Sequence, residues 1–432
     1  MTTISQETGK PDMECLSEVI AACDALQYYA KHAAKILRDE SIRAHLFFPF
    51  KKLVKSYHPR GVIGVITPWN FPFANSVSPC SQALIAGNSV ILKPSEVSPF
   101  SARLFGDLST EAGFPEGVFQ VLLGDSSTGA ALCEGGVDKI HFTGSVRTGR
   151  IIGEVCGRNL IPVTLELGGK DPAIVCHDAD LERAIPGVVS GALLNTGQVC
   201  ASTERVYVVH SVYDRFVEGV VKEVKALRQS ASGEADVSCM IWDAQLRIVE
   251  TQLQDAIAKG AKVLTGGKRL QASEGLFLEP TVLTDVDHGM SIMAEETFGP
   301  VLPIMGVKDE EEAIRLANDS RYGLSATVWA GDRQRGLAIA KRLNCGSAGV
   351  NDFGGNASAA HEGSFGGSKN SGIGYANGEL GLRSFCRCQH TIVRKFGPKR
   401  EQNWFPYNAK TVGQMKGFMK FFFSTTIGRW MT

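Results

Sequence analysis

A chain of 432 residues with 44% hydrophobic and 8% aromatic content carries enough apolar material for two or three domain cores. Its 45 Lys and Arg balance 45 Asp and Glu, which leaves no net field to hold a nucleic acid. Eleven cysteines without paired spacing, an N-terminus unlike a leader, and no apolar run near the ~20 residues of a bilayer span point to a reduced, cytoplasmic protein without a disulfide framework.

Residues 16–38 carry Leu16, Ile20, Cys23, Leu26, Tyr29 and Ala33 at three-to-four spacing, which predicts an amphipathic helix burying that stripe. From 60 to 170, the runs GVIGVI (61–66), NSVILKP (88–94), VFQVLLG (118–124), KIHFTG (139–144) and PVTLELG (162–168) read as parallel strands. Helix-length segments ending in glycine separate them, the pattern of a doubly wound α/β domain with ligands at the carboxyl ends of its strands. A second α/β region follows to about 350, and in it Asp309 and Glu312 form a predicted capping box. Residues 350–380, rich in Gly, Ser and Asn, suit a loop crossing between domains. In the tail, Met415, Phe418, Met419, Phe421, Phe422, Phe423 and Trp430 alternate with Lys410, Lys416, Lys420 and Arg429. Such a segment packs on protein, as apolar stripes usually do, or rests on a lipid surface.

Chemistry concentrates at strand ends. Cys200, in NTGQVCAST, has a small, polar, glycine-containing setting suited to a nucleophile, although a single cysteine is more often a small hydrophobe. Glu166, in LELGGK, is a candidate base with room beside its glycines for a water. In PWNFP, two prolines fix the loop around Asn70, whose NH2 is a candidate oxyanion donor. KPSE puts Lys93 and Glu96 at another strand end, and HFTGSVRTG leads through Gly144 and Ser145 into a helix N-terminus able to receive phosphate. GIGYANG (372–378) lacks dinucleotide spacing and reads as a loop. No metal centre is expected, because HExxH is absent and Cys386 and Cys388 have no second pair.

PWNFP, KPSE, FTGS, LELGGK, GQVC and EETFGPV occur in one order, with 23 positions from Asn70 to Lys93, 34 from Glu166 to Cys200 and 96 from Cys200 to Glu296. Over about 7–397 the chain resembles the NAD(P)-dependent aldehyde dehydrogenase superfamily. The resemblance implies a Rossmann-like cofactor domain (1–167), an α/β catalytic domain (168–370), a small oligomerisation arm (371–397) and, beyond it, an apolar-basic tail (398–432). It implies Cys200 as nucleophile, Asn70 as oxyanion donor and Glu166 as the base that activates water. It also implies a cofactor set of Trp69, Lys93, Glu96, Gly124, Gly129, Gly144, Ser145, Gly149, Glu296 and Phe298. A carboxylate at Glu96 favours NAD over NADP by repelling a 2′-phosphate. The expected partners are a small aldehyde and further copies of the chain, as a homodimer or tetramer.

The chain departs from the family in three places. It begins several tens of residues late, which predicts missing early helices of the cofactor domain. It reads HEGS where the family usually has proline before Phe365, and its Phe-rich tail, similar to those of relatives that oxidise fatty aldehydes, suggests an apolar aldehyde. Two alternatives remain open on the sequence: cofactor-independent ester hydrolysis by the same Cys200 and Glu166, and a non-catalytic relative with a binding role.

Overall fold

β-Branched runs of five to seven residues, such as Val62–Ile66 and Thr203–Val209, are too short for helices and fold as buried strands between helices. The computed structural model describes residues 1–44, 50–230, 234–270, 275–401 and 403–426, with the side chains of 357–359 outside that description.

One sheet has the order Gly372–Ile373, Val163–Glu166, Lys139–Thr143, Val62–Ile66, Ser89–Lys93, Phe119–Val121. Its last five strands are mutually parallel, and they are the five predicted from the apolar runs. From Val62–Ile66 the chain builds first toward Ser89–Lys93 and Phe119–Val121, then returns to add Lys139–Thr143 on the other side. That reversal opens a crevice at the carboxyl ends of Val62–Ile66 and Lys139–Thr143, the place where open α/β sheets bind ligands. The loops carrying Asn70 and Ser145 leave from these two ends.

GIGYANG is not wholly a loop. Gly372–Ile373 pairs antiparallel with Leu165–Glu166 and gives the sheet an extra edge strand. A side chain at position 372 would collide with the Leu165 carbonyl, so only glycine allows this approach.

The second sheet runs Lys262–Thr265, Thr281–Thr284, Val301–Val307, Thr203–Val209, Asp171–Val175, Ser325–Trp329, Ser347–Val350, parallel except for its first pair. The two-residue period sorts its core. Ile174, Tyr207 and Val328 face Leu246, Val249 and Leu253 on one side, while Ala173, Val175, Val206 and Val208 face Phe216 and Val220 on the other. At helix Glu310–Asn318 the Asp309 carboxylate accepts the Glu312 N–H at 2.9 Å, as expected, but Glu312 reaches back to the Lys308 N–H rather than to that of Asp309.

The first long helix, Asp12–Ile36, corrects the predicted stripe. Tyr29 and Ala33 are buried, but Leu16, Ile20, Cys23 and Leu26 are exposed, and the inner face consists of Cys15, Glu18, Ala22 and Ala25. Small residues let this helix lie close to Ala74–Ile85. There the buried Glu18 accepts the Phe73 and Ala74 N–H groups through one oxygen and pairs with Lys10 at 2.7 Å through the other. A free helix N-terminus thus outcompetes the larger apolar side chains for the inner face.

Residues 37–58 and 387–432 group as a second compact unit, apart from 1–36 and 59–386. Its sheet has the order Glu40–Ile42, Lys51–Pro59, Cys386–Arg394. The arm expected at 371–397 thus shares its sheet with residues 40–59, expected in the cofactor domain; the strand KKLVKSYHP, with its charges and no apolar run, carries no sign of its partner Cys386–Arg394. Beyond this sheet the tail forms the helix Ala409–Ser424, capped by the Asn408 side chain accepting from the Thr411 N–H. Arg429 and Trp430, named in the sequence reading, lie outside the described residues. No described helix is long and apolar enough to cross a membrane.

Candidate active site

A cleft of about 640 Å³ opens at the crevice of the first sheet. Trp69, Asn70, Gly144, Ser145, Glu166, Cys200, Glu296 and Phe298 all line it, so residues spread over 230 positions of sequence meet in one place. Lys93, Glu96, Gly124, Gly129 and Gly149 do not line this cleft.

Asn70 is buried and held at both ends of its amide. Its Nδ2 donates to the Gln198 carbonyl at 2.9 Å, its Oδ1 accepts from Asn75 Nδ2 at 3.4 Å, and its backbone carbonyl accepts from Asn195 Nδ2 at 3.0 Å. An amide nitrogen has two hydrogens, so the second N–H stays available to a ligand. Asn195 itself has φ of 50° and donates its N–H to the Glu14 carboxylate at 2.7 Å. Gln198 braces the same loop by donating to the Asn195 carbonyl and accepting the Ile241 N–H. Asn195 and Gln198 stand in the motif NTGQVCAST without a spacing signal for this bracing, and Glu14 and Asn75 lie in no motif. The Asn-Thr-Gly run, apt for left-handed backbone, was the available signal for Asn195.

The Cys200 thiol faces a poor setting for ionisation. Burial, followed by the carboxylates of Glu296, Asp171 and Glu166, pushes its pKa up to about 12. Glu166 is buried with neither carboxylate oxygen hydrogen-bonded to a described residue, and burial holds its pKa well above the usual range, opposed by the Ala376 amide. A buried carboxyl at a cleft wall without a hydrogen-bond partner among the described residues is a candidate proton acceptor. Close approach of the neighbouring backbone is enforced by glycine, since a side chain at Gly169 would meet the Cys200 carbonyl oxygen at 2.6 Å. We expect alkylation of Cys200 by iodoacetamide in the cofactor-free protein to rise about tenfold per pH unit from pH 7 to 9, as a thiol far below its pKa requires. Peptide mass spectrometry follows this at Cys200 alone, and a plateau below pH 9 would show a thiolate already formed.

Phe298 forms the opposite wall with φ of 52° and lies edge-on to Trp69, with ring centroids 5.4 Å apart. A buried clamp holds it there. Glu204 accepts the Thr297 and Phe298 N–H groups at 2.8 Å each and the Lys170 ammonium at 2.7 Å, while Lys170 also donates to the Thr297 hydroxyl. Glu296, on the same loop, accepts the Gly169 N–H at 3.2 Å and is raised in pKa by burial and then by Glu204. The ion pair between Lys170 and Glu204 went unrecognised in sequence, where its 34-residue separation carries no periodic signal.

On the cofactor side, Ser145 caps helix Val146–Arg158 through the Thr148 N–H, and Val146, Arg147 and Arg150 of its first turns line the cleft. A 13-residue helix N-terminus with two arginines fits a pyrophosphate. Lys93, buried at the end of its strand, pairs with the half-exposed Glu96 at 3.1 Å, which leaves carboxylate capacity for ribose hydroxyls. Gly124 ends the turn before helix Ser126–Glu134, and Gly129 lies in that helix beside Lys93. Gly149 packs its helix onto Leu167, so its position serves the close contact of helix and strand.

Comparison with known proteins agrees with this geometry. The model of the aldehyde dehydrogenase family matches residues 1–391. The chain is 42% identical to a protein of Methylomonas sp named 4,4'-diapolycopene aldehyde oxidase, over 98% of this chain and 79% of that one. It is 39% identical to a putative NADP(+) succinate-semialdehyde dehydrogenase of Mycolicibacterium smegmatis, over 90% and 75%. Among solved structures it is similar to the Mycobacterium tuberculosis aldehyde dehydrogenase complexed with NAD+, at TM-score 0.87 and 35% identity over 92% of this chain and 82% of that one. It is likewise similar to the lactaldehyde dehydrogenase of Escherichia coli, at TM-score 0.86 and 36% identity over 91% and 82%.

Proposed function

The chain belongs to the aldehyde dehydrogenase family and oxidises an aldehyde, and from that premise we propose that Cys200, Asn70 and Glu166 carry out the reaction with NAD as the preferred cofactor. The observation that carries the reading is the meeting of these three side chains in one cleft with the helix N-terminus at Ser145.

Cys200 gives its proton to solvent and adds through sulfur to the aldehyde carbon, forming a thiohemiacetal. The free N–H of Asn70 and the Cys200 backbone N–H hold the oxyanion; the bracing of Asn70 by Gln198 and Asn75 aims that donor before the substrate arrives. Phe298 and Glu296 would hold a nicotinamide, which when bound would supply the hydride acceptor. Departure of the carbon's hydride to that acceptor would let the oxyanion collapse to a thioester; Glu166 then takes a proton from water, the resulting hydroxide adds to the thioester carbon, and the Cys200 thiolate leaves as the carboxylic acid is released. Burial raises the pKa of Glu166, which makes its ionised form a stronger base toward water.

Preference for NAD rests on Glu96. A carboxylate beside the ribose accepts hydrogen bonds from hydroxyls and repels a 2′-phosphate. Replacing it by Gln is expected to raise the ratio of kcat/KM with NADP+ to that with NAD+ by roughly tenfold or more, mostly through KM for NADP+. An unchanged ratio would remove Glu96 from cofactor selection. The substrate is an apolar aldehyde, a reading supported by the name of the Methylomonas relative. A panel of long-chain aldehydes and succinate semialdehyde, ranked by kcat/KM, decides between these classes. The exposed edge strand Cys386–Arg394 suits pairing with a second copy, so the working form is a homo-oligomer. Light scattering at a multiple of the 46.5 kDa chain mass checks this.

A further inference from the structure

The tail helix Ala409–Ser424 lies beyond the family match and takes no part in the chemistry above. At 100° per residue, Val412, Met415, Phe418, Met419, Phe422 and Phe423 share one face, Lys416 flanks that face beside Phe423, and Lys410 and Lys420 lie away from it. Among these apolar residues only Phe422 is buried, while Met419 is 59% and Phe423 55% exposed. Trp404, Phe405 and Tyr407, just before the helix, are exposed as well.

The charge pattern selects among occupants for this face. After Glu401 the sequence has four cations, Lys410, Lys416, Lys420 and Arg429, and no Asp or Glu. A second copy of this segment would bring its own unbalanced cations against them, whereas anionic headgroups neutralise them while the acyl layer takes the methionines and phenylalanines. Sixteen residues interrupted by lysines are too short and too charged to span a bilayer. Aromatic residues such as Trp404 and Tyr407 favour the headgroup level.

We propose that the helix Ala409–Ser424 docks in the headgroup layer of an anionic lipid bilayer, its Met and Phe face turned to the acyl chains and its lysines to the phosphates. This surface is independent of which aldehyde the enzyme oxidises. It would place the catalytic unit on the phase in which an apolar substrate dissolves.

Co-sedimentation of the full chain with vesicles tests this, using phosphatidylcholine alone and phosphatidylcholine with roughly a quarter phosphatidylglycerol. The full chain is expected to bind the anionic vesicles and to be released by high salt. Lys410→Glu, Lys416→Glu and Lys420→Glu together should weaken binding on the order of a hundredfold, at the usual contribution of each cation near an anionic surface. Met419→Ser with Phe423→Ser should also lower binding, and both variants should keep the soluble turnover of the parent, which shows that they fold. Failure of the parent chain to bind anionic vesicles would overturn the proposal. So would undiminished binding by the lysine variant, or an apolar-face variant that alters only oligomeric state and leaves lipid binding intact.

Discussion

Replacing Cys200 with alanine is expected to lower aldehyde-dependent NADH formation by roughly 10⁴-fold or more while NAD+ binding persists. The loss corresponds to about 5.5 kcal/mol of barrier, the share expected of a nucleophile that splits one difficult step into two. Of the eleven cysteines, only Cys200 lines the cleft, so no neighbour can substitute for it. Its side chain contributes no hydrogen bond to the Asn195–Gln198–Asn70 network, which is why the cofactor side should survive the change. A thermal shift with NAD+, equal in parent and variant, measures that survival. A variant that retains more than a few percent of the parent rate would place the chemistry elsewhere.

Glu166→Gln should divide the reaction in time. Attack, oxyanion stabilisation and hydride departure do not use Glu166, so one equivalent of NADH per site should still appear quickly. Steady turnover should then fall by about 10²–10³-fold, the range for a lost general base. The pH profile gives a second reading. A base acts only when ionised, and burial raises the Glu166 pKa, so the parent's steady rate should climb as pH rises through that raised value. The glutamine variant should lose that climb, because its amide has no proton to shed. Steady rates equal to the parent's would leave the deacylation without its assigned base.

The parallel strands were legible because each is a short apolar run bounded by glycine or proline, as in GVIGVI before PWNFP. The proposed site residues Asn70, Glu166 and Cys200 were legible as candidates because sequence-local motifs carry them, and the fold brings them to one cleft. The inner face of Asp12–Ile36 was not legible. Periodicity counts apolar residues, and here the buried positions are alanines, a cysteine and Glu18, whose value lies in a helix N-terminus 55 residues away. The clamp of Lys170 and Glu204 on Phe298, and the reach of Glu14 to Asn195 across 181 positions, are likewise pairings over distances that leave no trace in spacing. Strand Lys51–Pro59 escaped because one of its two partners, Cys386–Arg394, lies more than 300 positions away, the other, Glu40–Ile42, has only three residues, and neither Lys51–Pro59 nor Cys386–Arg394 has a buried face to mark it.

The central claim is that an aldehyde becomes covalently attached to Cys200 and leaves by Glu166-assisted hydrolysis. Glu166→Gln protein, quenched in acid after brief exposure to NAD+ and an apolar aldehyde, tests it by peptide mass spectrometry. The account predicts an acyl group on the Cys200 peptide in near-stoichiometric yield. NADH formed without that adduct, or an adduct on any other cysteine, would contradict it.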